Sequence, residues 1–433
     1  MRPVTEALPV TLYGEHLADL RRGATGIELA WAMSPDRVRG RVELSACLRT
    51  GEPPVKGAAD NFFGGLLPEG PFLAKLANEV GVSGHDVFGL LEAVGSDVAG
   101  ALRVGALHRE ARPELLDASL LPELLEKASG YAVGGGGSSL PGFQRKIALT
   151  RRGEGWLLGR GALPSTHILK PSTELNSRIA DAEAYLLSLS RRLGLTTFDS
   201  WTERLGDLHV VVVERYDRRV RNDGVIERIH QEDAAQALNL AWLSDAKFQR
   251  EPSGASLRSI AGLLDTDRRV FDRSPSEKSV LLRYVTFNLA TGNTDAHAKN
   301  YSILRPQGES ARLAPLYDLV PLALFSESRQ GLSLWINGKR MSHDVQIDDL
   351  VDEAASWGMD ADESRYVVTD VLETLVDATG DVDCPASLLK TLPGYVRALS
   401  RSLLDGGRAH VAGSVPVYFR GQVGTPSGES EAG

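Results

Sequence analysis

Cysteine is almost absent from this sequence. Among 433 residues only Cys47 and Cys384 occur, which excludes a disulfide framework and a cysteine-rich zinc site. No apolar run approaches the roughly 18 residues of a membrane-spanning helix. The first twenty residues also lack the unbroken apolar stretch of a signal peptide. Together these absences predict a cytoplasmic protein that does not contact a membrane.

Basic residues are also in deficit. Lysine and arginine number 48 against 57 aspartates and glutamates, which gives a net charge of −9. Affinity for nucleic-acid phosphates depends on lysine and arginine, so the chain is a poor candidate for binding DNA or RNA by itself. A basic protein partner is easier to accommodate. Hydrophobic residues make up 42% and charged residues 24%, as in soluble globular proteins, and the length suggests two or three domains.

Hydrophobic periodicity changes along the chain. Alternating or continuous apolar runs predict strands at residues 10–14, 41–45, 145–150, 166–170, 207–215, 301–304 and 311–314. Helical spacing predicts helices at residues 72–80, 86–94, 181–193, 278–290, 364–378 and 386–404. The sequence therefore predicts an α+β fold, with an α/β N-terminal half and a mainly α-helical C-terminal half.

The most flexible internal segment is expected at Gly134–Gly137, which runs into Ser138 and Ser139. Four consecutive glycines lose much backbone entropy on ordering, so a mobile loop is predicted. A bare Gly/Ser run is most often a domain linker, and both interpretations stay open at this point. The last ten residues have no apolar side chain except one alanine and are expected to be disordered.

Three polar residues of the C-terminal half occur in an order that protein kinases use. Asp295 follows an apolar helix, Asn300 lies five positions later, and Asp318 follows a predicted hairpin. In kinases the first Asp orients the attacking hydroxyl and accepts its proton, whereas the Asn and the second Asp hold Mg²⁺ on the phosphates. Any one of these residues is more often a turn or cap residue, but the series favours phosphoryl transfer.

A lysine at the end of a predicted strand supports the same chemistry. Lys170 ends an apolar run and could pair with nucleotide phosphates and with Glu183 on the following helix. The alternative is a solvent-facing lysine, with Glu183 on a wet helix face. Farther on, residues 211–213 form an apolar strand that leads into 214–218, whose backbone could face adenine. The alternative there is a salt-bridged strand end that contributes little to stability.

A polar cluster at His230, Glu232 and Asp233 shows no mechanism in its spacing. We interpret the two acids as charges at a helix N-terminus, where the helix dipole favours them. The sequence offers neither a pair of histidines at ligand spacing nor a cysteine set, so zinc is not indicated.

Together these segments resemble the HipA family of bacterial serine/threonine kinase toxins. The resemblance keeps the family's order over nearly the whole chain. The matching segments are Asn61-Phe62-Phe63, Leu66-Leu67-Pro68-Glu69, Leu90-Leu91, Gly95-Ser96-Asp97, Gly100-Ala101-Leu102, Ser139 to Lys146, Thr166 to Lys170, Glu214 to Arg218, His230 to Asp233, Asn293 to Asn300 and Tyr317-Asp318.

The resemblance implies a protein-kinase-like (HipA-like) fold and a role for each matching site residue. Asp295 would be the catalytic base, and Asn300 and Asp318 would bind Mg²⁺. ATP, lying between the lobes, would be bound by Pro141, Gly142, Phe143, Gln144, Arg145, Lys146, Lys170, Glu214, Arg215, Tyr216, His297, Lys299, Asn300, Tyr317 and Asp318. Ser139 occupies the position of the family's autophosphorylated serine, and the adjacent Ser138 is the alternative.

Three positions depart from the family pattern. Phe143 stands where the family usually has a small residue, Arg145 where the residue is often acidic, and Ala182 where an Asn precedes the helix glutamate. These departures bear on the conformation of the phosphate loop and on the regulatory serine. They leave Asp295, Asn300 and Asp318 in place.

The resemblance further implies a domain division and a biological role. Residues 1–106 would form an N-terminal subdomain, 107–220 a nucleotide-binding lobe, 221–412 a helical catalytic lobe and 413–433 a tail. The protein would be the toxin of a type II toxin–antitoxin system that phosphorylates Ser or Thr of a translation protein. An aminoacyl-tRNA synthetase, such as the glutamyl enzyme, is the implied substrate, and its inactivation would inhibit translation and induce dormancy and persistence.

The implied partner is a HipB-like helix-turn-helix antitoxin, which would supply the only contact with DNA. Two alternatives belong to other functional classes. One is a regulatory kinase-fold protein that acts mainly through antitoxin binding on DNA. The other is a kinase of a small molecule or a lipid.

Overall fold

A computed structural model describes most of the chain. The described residues are 6–24, 26–32, 43–106, 112–127, 129–132, 138–142, 144–159, 163–172, 177–251, 254–266, 276–325, 329–388 and 391–411. The chain divides into two compact units. Unit 1 comprises residues 1–171, 212–277 and 297–315, and unit 2 comprises 172–211, 278–296 and 316–433. Gly134–Gly137, Phe143 and the predicted tail lie outside the described residues.

An antiparallel sheet and three helices form the N-terminal part of unit 1. The strand order is β3-β2-β1-β4, with β1 and β2 joined at Tyr13-Gly14, both at positive φ, as a tight hairpin turn requires. Alternate β1 residues are buried under apolar helix faces. The elements are β1 (Ala7–Leu12), β2 (Glu15–Arg22), β3 (Ile27–Trp31), α1 (Ala58–Gly64), α2 (Gly70–Val80), α3 (Val87–Val94) and β4 (Leu102–Val104).

A second sheet in unit 1 carries the segments expected around the nucleotide. Strands β5, β9, β8 and β10 lie side by side in that order and pair antiparallel. The elements here are β5 (Glu114–Leu115), α4 (Leu121–Glu126), β6 (Tyr131–Ala132), β7 (Ser138–Ser139), β8 (Ile147–Arg152), β9 (Gly155–Leu158) and β10 (His167–Ser172). The first four residues of β8 are all buried, which explains why three of them are apolar.

The remainder of unit 1 is built from short elements. Strand β15 pairs with β16, and β16 pairs with β17, all antiparallel. The elements are β13 (Arg218–Val220), β14 (Ile226–Arg228), β15 (His230–Asp233), α6 (Ala234–Ala237), α7 (Leu257–Thr266), β16 (Ser302–Arg305) and β17 (Arg312–Leu313). Strand β12 (Leu208–Glu214) crosses from unit 2 into unit 1.

Unit 2 is mainly helical. Its helices include the long α10, which Asp360 caps by accepting hydrogen bonds from the N–H groups of Asp362 and Glu363. The other elements are α5 (Ser177–Arg192), β11 (Ser200–Leu205), α8 (Glu277–Thr291), β18 (Gly331–Ile336), β19 (Lys339–Met341), α9 (Ile347–Ser356) and α11 (Leu392–Leu404), with α10 at Ala361–Asp381.

The structure confirms most predicted elements and corrects two. In the strand predicted at 41–45, the described residues 43–45 are not a strand. Leu44 and Ser45 are both buried, and the Ser45 hydroxyl donates to Glu232, so the polar position does not face solvent as the alternating pattern implied. The helix predicted from residue 386 begins at Leu392, with Pro393 in its first turn, where the missing N–H of proline costs nothing.

The predicted α+β fold class is confirmed, since both units combine helices with strands. Within the described ranges, no helix is long and apolar enough to cross a membrane. The boundaries at residues 106, 220 and 412 stay a prediction.

Candidate active site

The segment from Asp295 to Asn300 leaves the end of α8 and enters β16. Gly292, at φ +73°, ends the helix, and residues Ala298–Asn300 form a 3₁₀ turn in which the Asn300 N–H donates to the His297 carbonyl at 2.9 Å. Asp295 is half-buried and Asn300 is buried. Asp295 belongs to unit 2, whereas the residues from His297 onward belong to unit 1.

Asp318 adopts a backbone conformation that is rare for a residue with a side chain. Its φ of +57° lies in the left-handed region, and such outliers concentrate at functional sites. The Asn293 amide donates to Asn288 Oδ1 at 2.9 Å and approaches the Asp318 carbonyl at 3.5 Å. Asn293 thus links the start of the Asp295 segment to the Asp318 turn within unit 2.

Neighbouring bonds anchor the Asp295 segment. The Thr294 hydroxyl donates to the Arg329 carbonyl at 2.8 Å, and the Ser333 N–H donates to the Thr294 carbonyl at 3.0 Å. The residue immediately before Asp295 is therefore fixed on both sides, which favours a reproducible position for its carboxylate.

Lys170 and Glu183 are both buried. Lys170, in β10 of unit 1, is 7% exposed, and Glu183, on α5 of unit 2, is 0% exposed. This burial contradicts the alternative in which both side chains face solvent. Charged residues are rarely buried without a partner or a function. Their mutual pairing stays a prediction.

A lysine within the predicted phosphate loop, residues 141–146, binds the backbone of that loop. The Lys146 ammonium donates to the Pro141 carbonyl at 2.7 Å. Gly142 has φ +112°, a backbone conformation that residues with a side chain rarely adopt, so this position favours glycine. Gln144 is half-buried, whereas Arg145 is exposed and donates to the Glu126 carbonyl at 3.0 Å.

Ser139 is folded into a short strand in the structure. Its N–H donates to the Asp97 carbonyl at 3.2 Å and its hydroxyl donates to the Leu66 carbonyl at 2.8 Å. The residue is 0% exposed, whereas Ser138 is half-buried. Phosphorylation of Ser139 would therefore require β7 to leave this position first.

The linker after β12 buries its arginine. The Arg215 guanidinium binds both carboxylate oxygens of Asp217, at 2.9 and 2.8 Å, and also donates to Ser165. The salt bridge expected in the alternative interpretation is therefore present, but it is buried, whereas the small contribution expected of it is typical of exposed pairs. The Arg215 side chain is committed to this network, and its backbone is hydrogen-bonded as well: its N–H donates to the Thr166 carbonyl at 2.8 Å, and its carbonyl accepts the Arg218 N–H at 3.1 Å.

Asp97 joins the same network, which we call the arginine cluster (Asp97, Arg215, Asp217, Arg218 and Arg228). Asp97 pairs with Arg218 at 3.1 Å and with Arg228 at 3.0 Å. Burial by itself would raise the pKa of Asp217, but Arg215 and Arg218 outweigh it and lower that pKa to about 2. The pKa of Asp97 is also lowered, because Arg228, Arg218 and Arg215 together outweigh its burial.

Comparison with known proteins identifies the family. Residues 8–105 match the model of the HipA N-terminal domain, and residues 138–379, more than half of the chain, match that of the HipA-like C-terminal domain. The chain belongs to the HipA family. It is 31% identical to a Sinorhizobium fredii protein named "Putative kinase Y4mE", over 84% of this chain and 87% of that one.

Two further comparisons involve Shewanella oneidensis HipA. The chain is 29% identical to its serine/threonine-protein kinase toxin HipA, over 74% of this chain and 78% of that protein. A solved structure of HipA with HipB and operator DNA matches with a TM-score of 0.80 at 24% identity, covering 92% of this chain and 97% of that one. These relatives make the chain a HipA-family kinase, and the structural match confirms the predicted kinase-like (HipA-like) fold.

The sequence did not predict the ion pair between Glu69 and Lys299, a residue of the predicted site of this HipA-family kinase. Lys299 Nζ lies 2.8 Å from a Glu69 carboxylate oxygen, and Lys247 Nζ lies 2.7 Å from the other. Burial by itself would raise the pKa of Glu69, but Lys299 and Lys247 lower it to about 2. Glu69 lies in a segment that matches the HipA family, but the residues around it in sequence do not indicate its partners. Lys247 and Lys299 follow it in the chain by 178 and 230 positions.

In the polar cluster at residues 230–233, the interpretation as a charge at a helix N-terminus is confirmed for Asp233 but is wrong for Glu232, which lies in β15 and forms a buried ion pair with Arg305 at 2.8 Å. Asp233 caps α6 in a capping box with Gln236. His230 Nε2 lies 2.7 Å from the Leu44 carbonyl in the buried interior. The ring of His297 contacts that of Phe248 edge to face, with centroids 5.4 Å apart.

Proposed function

We propose that this HipA-family kinase is a serine/threonine protein kinase that uses ATP and Mg²⁺ and is the toxin of a type II toxin–antitoxin system. The observation that carries the proposal is the series Asp295, Asn300 and Asp318, held on anchored turns in the order that kinases use. The buried Lys170 supports it, because a buried ammonium suits a phosphate-binding role.

The donor atoms fit Mg²⁺. Asn300 and Asp318 offer hard oxygen ligands, which this ion prefers. Within the described part of the chain, no group of three or more His, Cys, Asp or Glu side chains could hold a metal. That is compatible with Mg²⁺, which is usually bound by one or two carboxylates together with substrate phosphates.

Each residue of the site then has a chemical task. Asp295 orients the attacking hydroxyl and accepts its proton. Asn300 and Asp318 hold the ion, which when bound neutralises charge on the phosphoryl oxygens. Lys170 and the loop 141–146 contact the phosphates, assisted by His297 and Lys299. The segment Glu214–Tyr216 lies at adenine, and Tyr317 directly precedes the metal ligand Asp318 in sequence.

The substrate and partner follow from the family. We propose that the chain phosphorylates an aminoacyl-tRNA synthetase, such as the glutamyl enzyme, in the cytoplasm and so inhibits translation. We propose a HipB-like antitoxin as partner, since the related HipA was solved with HipB and operator DNA. The net charge of −9 supports indirect contact with DNA, because the antitoxin would supply the basic surface.

Quantitative phosphoproteomics of cells that express the wild-type chain or Asp295→Asn tests this function. The proposal expects Ser or Thr phosphopeptides of a translation protein only with the wild type, together with growth arrest. Identical phosphoproteomes, or equal growth arrest by the variant, would favour a regulatory protein that acts through its antitoxin. A phosphorylated lipid or metabolite in place of a phosphoprotein would point to the small-molecule alternative.

A further inference from the structure

A single carboxylate in unit 1 holds two buried lysines. Glu69 Oε1 lies 2.8 Å from Lys299 Nζ, and Glu69 Oε2 lies 2.7 Å from Lys247 Nζ. The three side chains are only 14%, 11% and 10% exposed. Buried ions attract more strongly than exposed ones, because less water screens them. The pairing is therefore a strong constraint on both ammonium groups.

The Glu69 side chain binds the two lysines and does not cap a helix. Glu69 is the N-cap residue of α2, but its side chain makes no capping hydrogen bond. Its backbone lies in the segment that follows Leu66, whose carbonyl accepts the Ser139 hydroxyl. Glu69 thus extends from the N-terminal sheet-and-helix part of unit 1 to the turn that carries Asn300.

The other carboxylate that acts on Lys299 has a separate role. Asp233 interacts electrostatically with Lys299, but it accepts the Gln236 N–H at 2.8 Å as the cap of α6. Glu69 contacts Lys299 directly, at 2.8 Å, and Lys299 Nζ also approaches the Gly65 carbonyl at 3.5 Å. If its charge were removed, two buried ammonium groups would lose their shared counter-ion and repel each other.

The contact between Glu69 and Lys299 acts on a backbone turn as well as on a side chain. Lys299 is the middle residue of the Ala298–Asn300 turn, and the Asn300 N–H closes that turn on His297. We propose that Glu69 is a positioning residue, which through Lys299 holds this turn in the arrangement needed for phosphoryl transfer. The inferred effect on catalysis rests on the proposed kinase function, whereas the inferred restraint of the turn by Glu69 does not.

Amide hydrogen exchange tests directly whether Glu69 restrains the Ala298–Asn300 turn. In Glu69→Gln, amide exchange in peptides that cover residues 296–301 should accelerate, and Lys299 should react faster with a water-soluble amine-acylating reagent. Glu69→Asp keeps the charge and should restore part of the protection. Unchanged exchange and unchanged Lys299 labelling in a folded Glu69→Gln protein would overturn the proposal, whether or not the chain is a kinase.

Turnover tests the catalytic part. Glu69→Gln should lower kcat about tenfold to a hundredfold, with a smaller change in the KM for Mg·ATP, as expected when a supporting contact is lost. Lys247→Met is the matched control, because it removes the other ammonium and leaves the Glu69–Lys299 pair, so kcat should stay within about twofold.

Thermal unfolding of each variant separates positioning from stability. If Glu69→Gln and Lys247→Met lost activity and stability equally, Glu69 would be merely structural and the proposal would fail. If the wild type itself transferred no phosphate, the proposed function would fail, and the exchange experiment would still decide whether Glu69 fixes the turn.

Discussion

Ser139 places its hydroxyl 2.8 Å from the Leu66 carbonyl, in the fully buried interior of unit 1. A phosphate adds a charge of about −1.5 to −2, which this position cannot accommodate. We therefore expect phosphorylation at Ser139 to disrupt the antiparallel pairing of β6 with β7, in which Tyr131 lies opposite Ser139. The phosphate loop at Pro141–Lys146 follows within a few residues and would be displaced with it.

The first prediction concerns this modification. After incubation with Mg·ATP, phosphopeptide mapping should locate phosphate on Ser139, or on the more exposed Ser138. Purified phosphorylated protein should bind ATP at least about tenfold more weakly than unphosphorylated protein, a loss of about 1.4 kcal/mol. Phosphate found only far outside residues 134–146, or equal ATP affinity of the two forms, would refute the regulatory role.

The second prediction concerns the metal. Asp318→Ala should weaken Mg·ATP binding by about tenfold or more, because one of few carboxylate ligands is removed. Calorimetric titration measures this directly. Asp344→Ala changes an exposed acid of unit 2 and serves as control. Unchanged affinity and turnover in Asp318→Ala would mean that other residues hold the ion.

The third prediction concerns the arginine cluster. Asp97→Ala should destabilise the fold by about 3–5 kcal/mol, because it leaves buried guanidinium groups without a counter-ion. Asp223→Ala, which breaks an exposed pair with Arg221, should cost less than about 1 kcal/mol. Chemical denaturation of both variants provides the comparison, and equal stabilities would contradict the role assigned to the buried cluster.

The fourth prediction is a dependence of stability on pH. The pKa of Asp217 is about 2 in the folded protein and about 3.9 when unfolded, so its stabilisation is complete above pH 4. It should be lost as the pH falls from about 4 toward 2, since the unfolded state then binds more protons. Asp217→Asn should unfold at a lower temperature than the wild type at pH 7.

That difference should shrink as the pH approaches 2, where the wild-type carboxyl also becomes protonated. Thermal unfolding at pH 7, 5, 4 and 3 measures it. A difference between the two proteins that did not depend on pH would show that packing, and not the charge of Asp217, accounts for the loss.

Local patterns were sufficient for much of the fold. The helices predicted at residues 72–80 and 86–94 are α2 and α3, and Asp86 caps α3 by accepting the Gly89 N–H. The strand at 207–215 is β12. Such features depend on neighbours a few positions apart in sequence, which periodicity and capping preferences report.

Contacts between distant segments were not predictable in this way. Alternation at residues 43–45 indicated a strand, but Ser45 instead contacts Glu232, 187 positions away. Glu69 resembled an ordinary residue before a helix, and only the fold places Lys247 and Lys299 against it. The order of Asp295, Asn300 and Asp318 could be recognised because kinase chemistry constrains these residue types directly.

Phosphoryl transfer by the purified chain, compared with Asp295→Asn, tests the central claim most directly. The asparagine keeps the shape of the side chain but cannot accept the proton, so transfer from ATP to protein Ser or Thr should fall by about 10²–10⁴-fold. Mg·ATP affinity and the unfolding temperature should stay close to those of the wild type. Wild-type rates of transfer in Asp295→Asn, or no transfer by the wild type, would contradict the account.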